Sequence, residues 1–217
     1  MLFRSILMFV CNYMSRQPMT TSKKMPVLEA LNTMKKNRIR QLPVVLEGQL
    51  IGLVTERDLL TVSPSPASSL SVFELNYLLS KMTVGEVMVK NPLTVSPRTT
   101  IEEAALLLRE NKIGSLPVLD KDELVGIITA TDIFDALVNF FGYGIEGTRL
   151  VIETKDRVGL IADITQVIKE FGIDLKAIIC VDKEDEITEV VLRIGTDDPG
   201  PLVTALEKRG FRVTYIN

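Results

Sequence analysis

Residues 39–58 read IRQLPVVLEGQLIGLVTERD, and residues 113–132 read IGSLPVLDKDELVGIITATD. The two stretches lie 74 positions apart, and the ungapped match between them extends over residues 14–59 and 88–133. Roughly a third of the aligned positions are identical. The chain therefore contains a duplicated unit, and an internal repeat is the first prediction about its fold.

Each repeat predicts the same order of elements, β-α-β-β-α. A short extended piece (residues 19–21 and 93–95) precedes a helix whose apolar residues recur at i, i+3, i+4 and i+7. Two apolar strands follow, at 42–46 and 50–55 in the first repeat and at 116–119 and 124–129 in the second. A further helix is predicted to begin at Glu56 and at Ala130. Because Met8 aligns with Met82, we interpret the apolar N-terminus as the lead-in to the first repeat.

A third unit begins near residue 148. Its pattern predicts β-α-β-β-α-β, the split βαβ order of ferredoxin-like folds. Strands are predicted at 149–154, 175–181, 187–194 and 211–216, with one helix that carries Leu160 and Phe171 on its core face and another at 201–209. Gly172 is expected to cap the first helix. A Pro/Ser linker at 63–69 and an apolar, helical segment at 70–79 separate the repeats.

Composition excludes several kinds of function. The 217 residues contain no histidine, which removes His-dependent triads and almost every ordinary zinc site. A net charge of -3 argues against binding nucleic acid through bulk charge. Cys11 and Cys180 lack metal or redox spacing, so we expect two reduced, buried thiols. No run approaches the length of a membrane span. We therefore expect a cytoplasmic protein that is not an enzyme, with no catalytic residue, metal or catalytic cofactor.

Both repeats place Thr-x-x-Asp where the last strand passes into a helix: Thr55 with Asp58, and Thr129 with Asp132. A carboxylate on the first turn of a helix can accept hydrogen bonds from both hydroxyls of a ribose, as in dinucleotide sites. The alternative is a capping box that only terminates the helix. Capping boxes prefer Glu or Gln at this position, and both repeats have Asp in a matched context. We therefore favour ribose binding.

The order Met-x-x-x-Pro-x-Thr, Ile-x-x-Leu-Pro-Val, Gly-x-x-Thr-x-x-Asp resembles the CBS domain, and residues 8 to 140 resemble a tandem CBS pair. The resemblance implies one module with two clefts that bind AMP, ADP, ATP or related adenosyl ligands for regulation. By position, Thr55 and Asp58 would hold one ribose, and Thr129 and Asp132 the other. The adenine would be surrounded by Thr20, Pro43, Val44, Thr94, Pro117 and Val118. These last positions are equally typical of an ordinary strand and core.

The two repeats differ in charge around the predicted clefts. The first repeat has arginine at positions where the second has other residues: Arg38, Arg40 and Arg57 against Lys112, Gly114 and Thr131. Arginine suits phosphate because its donors form paired, charge-assisted hydrogen bonds. We therefore expect phosphorylated adenosine to prefer the first cleft.

Residues 148–217 resemble an ACT domain, a ferredoxin-like regulatory module that commonly binds amino acids between paired copies. The resemblance lies in residues 156–164 and implies amino-acid binding at Asp156, Val158, Gly159 and Leu160. A tight turn from strand to helix explains the same residues equally well.

The expected organisation is thus α+β / α/β: CBS repeats at 8–62 and 82–140, a linker and helix at 63–81, and an ACT domain at 148–217. The whole order resembles the acetoin-utilisation family, which implies regulation of acetoin or acetyl-CoA metabolism. We expect a homodimeric sensor that binds an adenine nucleotide and acts on an unknown target enzyme, with no nucleic-acid or membrane partner. The alternative is an assembly protein with unoccupied clefts.

Overall fold

The structure is a computed structural model that describes residues 8–62, 81–142, 144, 146–183 and 186–217. The chain divides into two compact units, Met1–Ala136 and Leu137–Asn217. The linker and the helix predicted at 63–79 lie outside the described residues, as do two residues of the turn at 182–186. Within the described ranges, every helix is too short or too polar to cross a membrane.

The first unit is built from the two repeats. Its elements in chain order are a 3₁₀ turn (Val10–Asn12), β1 (Ser15–Arg16), α1 (Val27–Asn37), β2 (Gln41–Leu46), β3 (Gln49–Thr55), α2 (Glu56–Thr61), α3 (Val84–Val87), β4 (Val89–Lys90), α4 (Ile101–Asn111), β5 (Ser115–Asp120), β6 (Glu123–Thr129) and α5 (Ala130–Phe140), whose last turn belongs to the second unit. The predicted strands agree with these bounds to within one residue. Both helix starts, at Glu56 and Ala130, are confirmed.

Both hairpins close with a two-residue turn in the left-handed region. Glu47 and Gly48 have φ of 52° and 83°, and Lys121 and Asp122 have φ of 49° and 70°. Two successive positive φ angles define a type I′ turn, whose twist matches that of the flanking strands. The tight turn therefore fixes the register of β2 on β3 and of β5 on β6.

The lead-in segments are exchanged between the repeats. β1 pairs with β6 of the second repeat, and β4 pairs with β3 of the first. The N–H of Val10 likewise donates to the carbonyl of Thr99 (2.9 Å), and that of Val84 donates to Met25 (2.8 Å). Each lead-in thus packs on the other repeat, a connection that the alignment of the repeats does not reveal.

Glycine recurs where the exchanged segments cross the sheet. A Cβ on Gly52 would lie 2.5 Å from Sδ of Met88, and a Cβ on Gly126 would collide with Sδ of Met14. The same Cβ atoms would lie 3.0 Å from the carbonyl oxygen of Val89, for Gly52, and 3.1 Å from that of Ser15, for Gly126. These two glycines therefore permit close approach of the lead-in, and a side chain at either position would force the lead-in to shift.

The second unit has the predicted ferredoxin-like order. Its elements are β7 (Thr148–Lys155), α6 (Leu160–Glu170), β8 (Leu175–Asp182), β9 (Ile187–Ile194), α7 (Gly200–Lys208) and β10 (Arg212–Ile216). The four strands form an antiparallel sheet in the order β10-β7-β9-β8. Helices α6 and α7 pack on one face of this sheet, and apolar residues of the strands and of both helices form the core: Leu150, Ile152, Ile164, Leu192, Leu202 and Leu206.

Two details of this unit differ from the prediction. Phe171 does not continue the core face of α6: it is the C-cap residue and is 41% exposed, because Gly172 turns the chain with φ of 64°. Cys180 is exposed rather than buried, since it lies on the edge strand β8, and Cys11 is only half-buried. Both thiols are free, as expected.

Candidate functional site

In each repeat, the two ends of the hairpin that match between the repeats meet at the start of a helix. β2 and β3 are antiparallel, so the start of β2 and the end of β3 lie at the same end of the sheet. There the N–H of Glu56 donates a 2.8 Å hydrogen bond to the carbonyl of Arg40. The equivalent bond in the second repeat joins Ala130 to Gly114 at 3.0 Å. The two repeats therefore share the same backbone arrangement at the start of the helix, which we call the frame, and they carry different side chains on it.

The extended segments that precede α1 and α4 lie at this same end of the sheet. Parallel bridges join Thr21 to Val44 and Val95 to Val118. Because residues 19–21 run parallel to β2, Thr20 lies toward the start of that strand, on the same side as Arg40. The predicted extended pieces are thus confirmed, and they border the point where α2 and α5 begin.

Each Thr-x-x-Asp motif forms a complete capping box. The N–H and hydroxyl of Thr55 donate to Oδ2 of Asp58 at 2.9 and 2.7 Å, and the N–H of Asp58 donates to Oγ1 of Thr55 at 3.2 Å. The corresponding distances for Thr129 and Asp132 are 2.8, 2.8 and 3.3 Å. The capping interpretation of the motif is therefore correct, although Asp stands in place of the preferred Glu or Gln.

The capping box uses only one oxygen of each aspartate. Within the described ranges, Oδ1 of Asp58 and Oδ1 of Asp132 accept no hydrogen bond, and both side chains are half-buried. The single hydroxyl proton of each threonine is committed to Oδ2. Consequently the threonine fixes the orientation of the carboxylate, while Oδ1 keeps its full capacity to accept hydrogen bonds.

The three predicted arginines belong to the first repeat only. Arg38, Arg40 and Arg57 are exposed, and within the described parts of the chain none of them forms an ion pair. The sequence interpretation overlooked Glu56, a half-buried acid between Thr55 and Arg57 that offsets one positive charge. Comparison with Ala130 at the same repeat position could have revealed it.

The second motif has fewer charges in the same frame. Lys112 and Thr131 replace two of the arginines and are exposed. Gly114 replaces the third, and a Cβ built on Gly114 meets no atom within 4 Å. The space for a side chain is therefore present at Gly114 but unused.

The positions predicted to surround adenine divide into two groups. Thr20 is exposed and Thr94 is half-buried, so both have surface to offer a ligand. The others are buried: Val44, Val118, and the two prolines Pro43 and Pro117, whose carbonyls accept hydrogen bonds from Thr21 and Val95 of the extended segments. The valine side chains, at 0% exposure, belong to the core behind the cleft.

In the second unit, local contacts hold the loop between β7 and α6. Gly159 takes φ of 86° directly before α6, and Arg157 forms a 2.5 Å ion pair with Asp163 across the first turn. Asp156 and Val158 are exposed, whereas Leu160 is buried in the core. The geometry is that of a tight strand-to-helix turn, with Asp156, Val158 and Gly159 on its surface.

No group of three or more Cys, Asp or Glu side chains in the described ranges could hold a metal ion.

Two families match this chain. The CBS domain matches residues 10–65 and 84–139, and the ACT domain matches residues 148–211. A CBS domain-containing protein of Dictyostelium discoideum is 37% identical over 111 residues, which cover 50% of this chain and 77% of that protein. An inosine-5′-monophosphate dehydrogenase of Korarchaeum cryptofilum is 33% identical over 124 residues, but these represent 57% of this chain and only 23% of the dehydrogenase.

Solved structures show the same architecture. A putative acetoin utilization protein from Vibrio cholerae superposes with a TM-score of 0.53 and 31% identity, over 63% of this chain and 94% of that one. CBSX2 in complex with AMP superposes with a TM-score of 0.51 and 30% identity, over 60% and 96% of the two chains. A CBS domain pair in complex with 5′-methylthioadenosine and S-adenosyl-L-methionine gives 0.51 and 25%, over 61% and 98%.

Proposed function

Because the chain belongs to the CBS domain family, as a tandem CBS pair followed by an ACT domain, we propose that its two CBS clefts bind adenine nucleotides as regulatory ligands. The observation that carries this proposal is the unused Oδ1 of Asp58 and Asp132 in two matched frames. Structures of similar CBS pairs with AMP and with other adenosyl ligands support it.

In this proposal the ribose is the part of the ligand that both clefts recognise. Oδ1 of each aspartate accepts hydrogen bonds from the ribose hydroxyls, and a charge-assisted bond of this kind is worth about 1.5–3 kcal/mol. Thr55 and Thr129 act as positioning residues, because their hydroxyls hold the carboxylate through Oδ2. Thr20 and Thr94 contribute surface next to the adenine. The ligand is bound and released without chemical change.

The arginines distinguish the first cleft from the second. Arg40 and Arg57 flank the Thr55–Asp58 motif without any ion-pair partner in the described residues, which leaves them available to a phosphate. The second cleft has glycine and threonine at these positions. We therefore assign phosphorylated adenosine to the first cleft and a less charged adenosyl ligand to the second.

The sensor also needs a readout. A ligand shifts a conformational equilibrium only when it binds the two states with different affinity. We place that readout in a homodimer whose ACT domain binds an amino acid at Asp156, Val158 and Gly159 and whose target is an enzyme of acetoin or acetyl-CoA metabolism. Similarity to the putative acetoin utilization protein supports the acetoin part of this proposal.

A second candidate function is an assembly protein with unoccupied clefts. The complete capping boxes favour it, because they explain the Thr-x-x-Asp motif without a ligand. Differential scanning fluorimetry with AMP, ATP and S-adenosylmethionine separates the two functions. A ligand present at a hundred times its dissociation constant stabilises the folded chain by about 2.7 kcal/mol and raises the melting temperature. The absence of a shift with all three compounds supports the assembly function.

A further inference from the structure

The second unit has one sheet face on which neither α6 nor α7 packs. Residues alternate along each strand, so Leu150 and Leu192 face α6 and α7, and Arg149 and Arg193 face the opposite side. Arg149 pairs directly with Arg193 across β7 and β9. Two arginine side chains therefore lie side by side on the open face, and an anion bound between them would reduce the repulsion of like charges.

A cavity of about 320 Å³ lies on this open face. Its residues, all within the second unit, are Val138, Phe141, Arg149, Ala177, Ile179, Val181, Val191 and Arg193, together with Leu192, whose side chain lies in the core on the other face. The volume is at the lower end of the range of about 300–1,000 Å³ that is typical of small-molecule sites. Three of the apolar lining residues remain strongly exposed: Val138 (44%), Phe141 (51%) and Val181 (47%).

We propose that this cavity binds a small, apolar monocarboxylate. The carboxylate is held by Arg149 and Arg193, and the hydrocarbon packs on Ala177, Ile179 and Val191, which lie beside the arginines in the sheet register. Arg149 is exposed and forms no ion pair within the described ranges, so its paired donors are available to a carboxylate. Arg193 makes another interaction in the chain and supplies the second positive charge.

This site is separate from the loop at Asp156–Gly159, because Arg149 and Lys155 mark opposite ends of the eight-residue strand β7. It is also independent of nucleotide binding. The apolar lining selects against phosphate and inorganic anions, whereas the arginine pair selects against neutral hydrocarbons. Together they specify an amphipathic acid.

Isothermal titration calorimetry of the full chain with 4-methylpentanoate tests the proposal, with 4-methylpentanamide as the neutral probe of the same shape. We expect the acid to bind about ten- to a hundredfold more tightly than the amide. Arg149→Met should abolish this preference, and Ile179→Trp should block both probes by filling the cavity. Arg212→Met is the matched control, because Arg212 lies on the same sheet, pairs with Glu153 and does not line the cavity.

Three results would overturn the proposal. One is no heat with the acid at millimolar concentration, and another is equal binding of acid and amide. The third is a dimer, detected by sedimentation, that Val181→Asp disperses while no acid binds, which would identify the face as a surface for a second copy. Far-ultraviolet circular dichroism confirms folding of each variant, and the surface substitution Arg149→Met keeps the test valid should Ile179→Trp unfold.

Discussion

The hydroxyl of Thr55 donates a 2.7 Å hydrogen bond to Oδ2 of Asp58, and the hydroxyl of Thr129 makes the same bond to Asp132 at 2.8 Å. The carboxylate is thus oriented before any ligand arrives, with Oδ1 left to accept further bonds. Preorganisation of this kind reduces the entropy that binding costs. Capping and ligand binding are therefore compatible functions of one side chain.

The two functions of Asp58 can be separated by Asp58→Asn. The amide oxygen of asparagine can keep the bonds from Thr55, but its NH₂ group cannot accept a bond from a ribose. We expect AMP affinity at the first cleft to fall about ten- to a hundredfold, measured by calorimetry, while unfolding stability falls by less than about 1 kcal/mol.

Glu86→Gln is the matched control for this prediction. Glu86 accepts bonds from the N–H and hydroxyl of Thr83, both at 2.7 Å, in the same geometry as Asp58. It lies outside the predicted clefts, so its substitution should change stability by a similar amount and leave AMP affinity unchanged. Unaltered AMP affinity in Asp58→Asn would contradict the assignment of Oδ1.

Exchange of one residue pair should move the phosphate preference from one cleft to the other. Arg40 and Gly114 occupy the same backbone position, and the site at Gly114 has open space for a side chain. In Arg40→Gly, discrimination of AMP over adenosine at the first cleft should fall about tenfold or more, and Gly114→Arg should create it at the second.

Titrations for this exchange are made in the Asp132→Asn and Asp58→Asn backgrounds, so that each cleft is observed separately. Equal discrimination at both clefts of the unmodified chain would refute the assignment. The assignment would also be refuted if the first cleft of the double variant Arg40→Gly/Arg57→Met still preferred AMP over adenosine.

The exchanged lead-ins make two glycines sensitive to substitution. A methyl group at Gly52 would meet Sδ of Met88 at 2.5 Å and the carbonyl of Val89 at 3.0 Å. We expect Gly52→Ala to cost about 1–3 kcal/mol of unfolding free energy in urea denaturation. Gly114→Ala is the control and should change stability by less than about 0.5 kcal/mol, because its Cβ meets nothing within 4 Å. Equal effects of the two substitutions would contradict the observed packing.

The thiol of Cys180 should react slowly at neutral pH. Although Cys180 is exposed, desolvation of its covered part raises its pKa above the ordinary value, and the carboxylates of Asp182 and Asp156 raise this pKa further. Because a raised pKa leaves less thiolate at a given pH, the alkylation rate of folded Cys11→Ser should rise at higher pH than that of the same chain unfolded in urea. A midpoint at or below that of the unfolded chain would contradict the raised pKa, and with it the effects of both desolvation and the carboxylates.

The hairpins and helix starts could be predicted from sequence because they depend on local patterns. Turn residues such as Glu47 and Gly48 and the apolar strands on either side specify their own pairing. The exchange of β1 and β4 could not be predicted in this way. By sequence pattern alone, the short segments that contain Ser15 and Val89 could pair equally well with β3 or with β6.

The candidate site was predictable in its residues but not in its geometry. Spacing located Thr55 and Asp58, yet only the structure shows that one carboxylate oxygen caps the helix and the other is unused. The cross-strand pair of Arg149 and Arg193 depends on the register of β7 on β9, which is set by tertiary packing across 44 residues of sequence.

The most direct measurement is a crystal structure of the full chain grown with saturating AMP. We predict that the ribose hydroxyls donate to Oδ1 of Asp58, with Oδ2 still bound to Thr55 and the phosphate against Arg40. AMP bound with its ribose away from both Asp58 and Asp132, or clefts that stay empty while both capping boxes persist, would contradict the account.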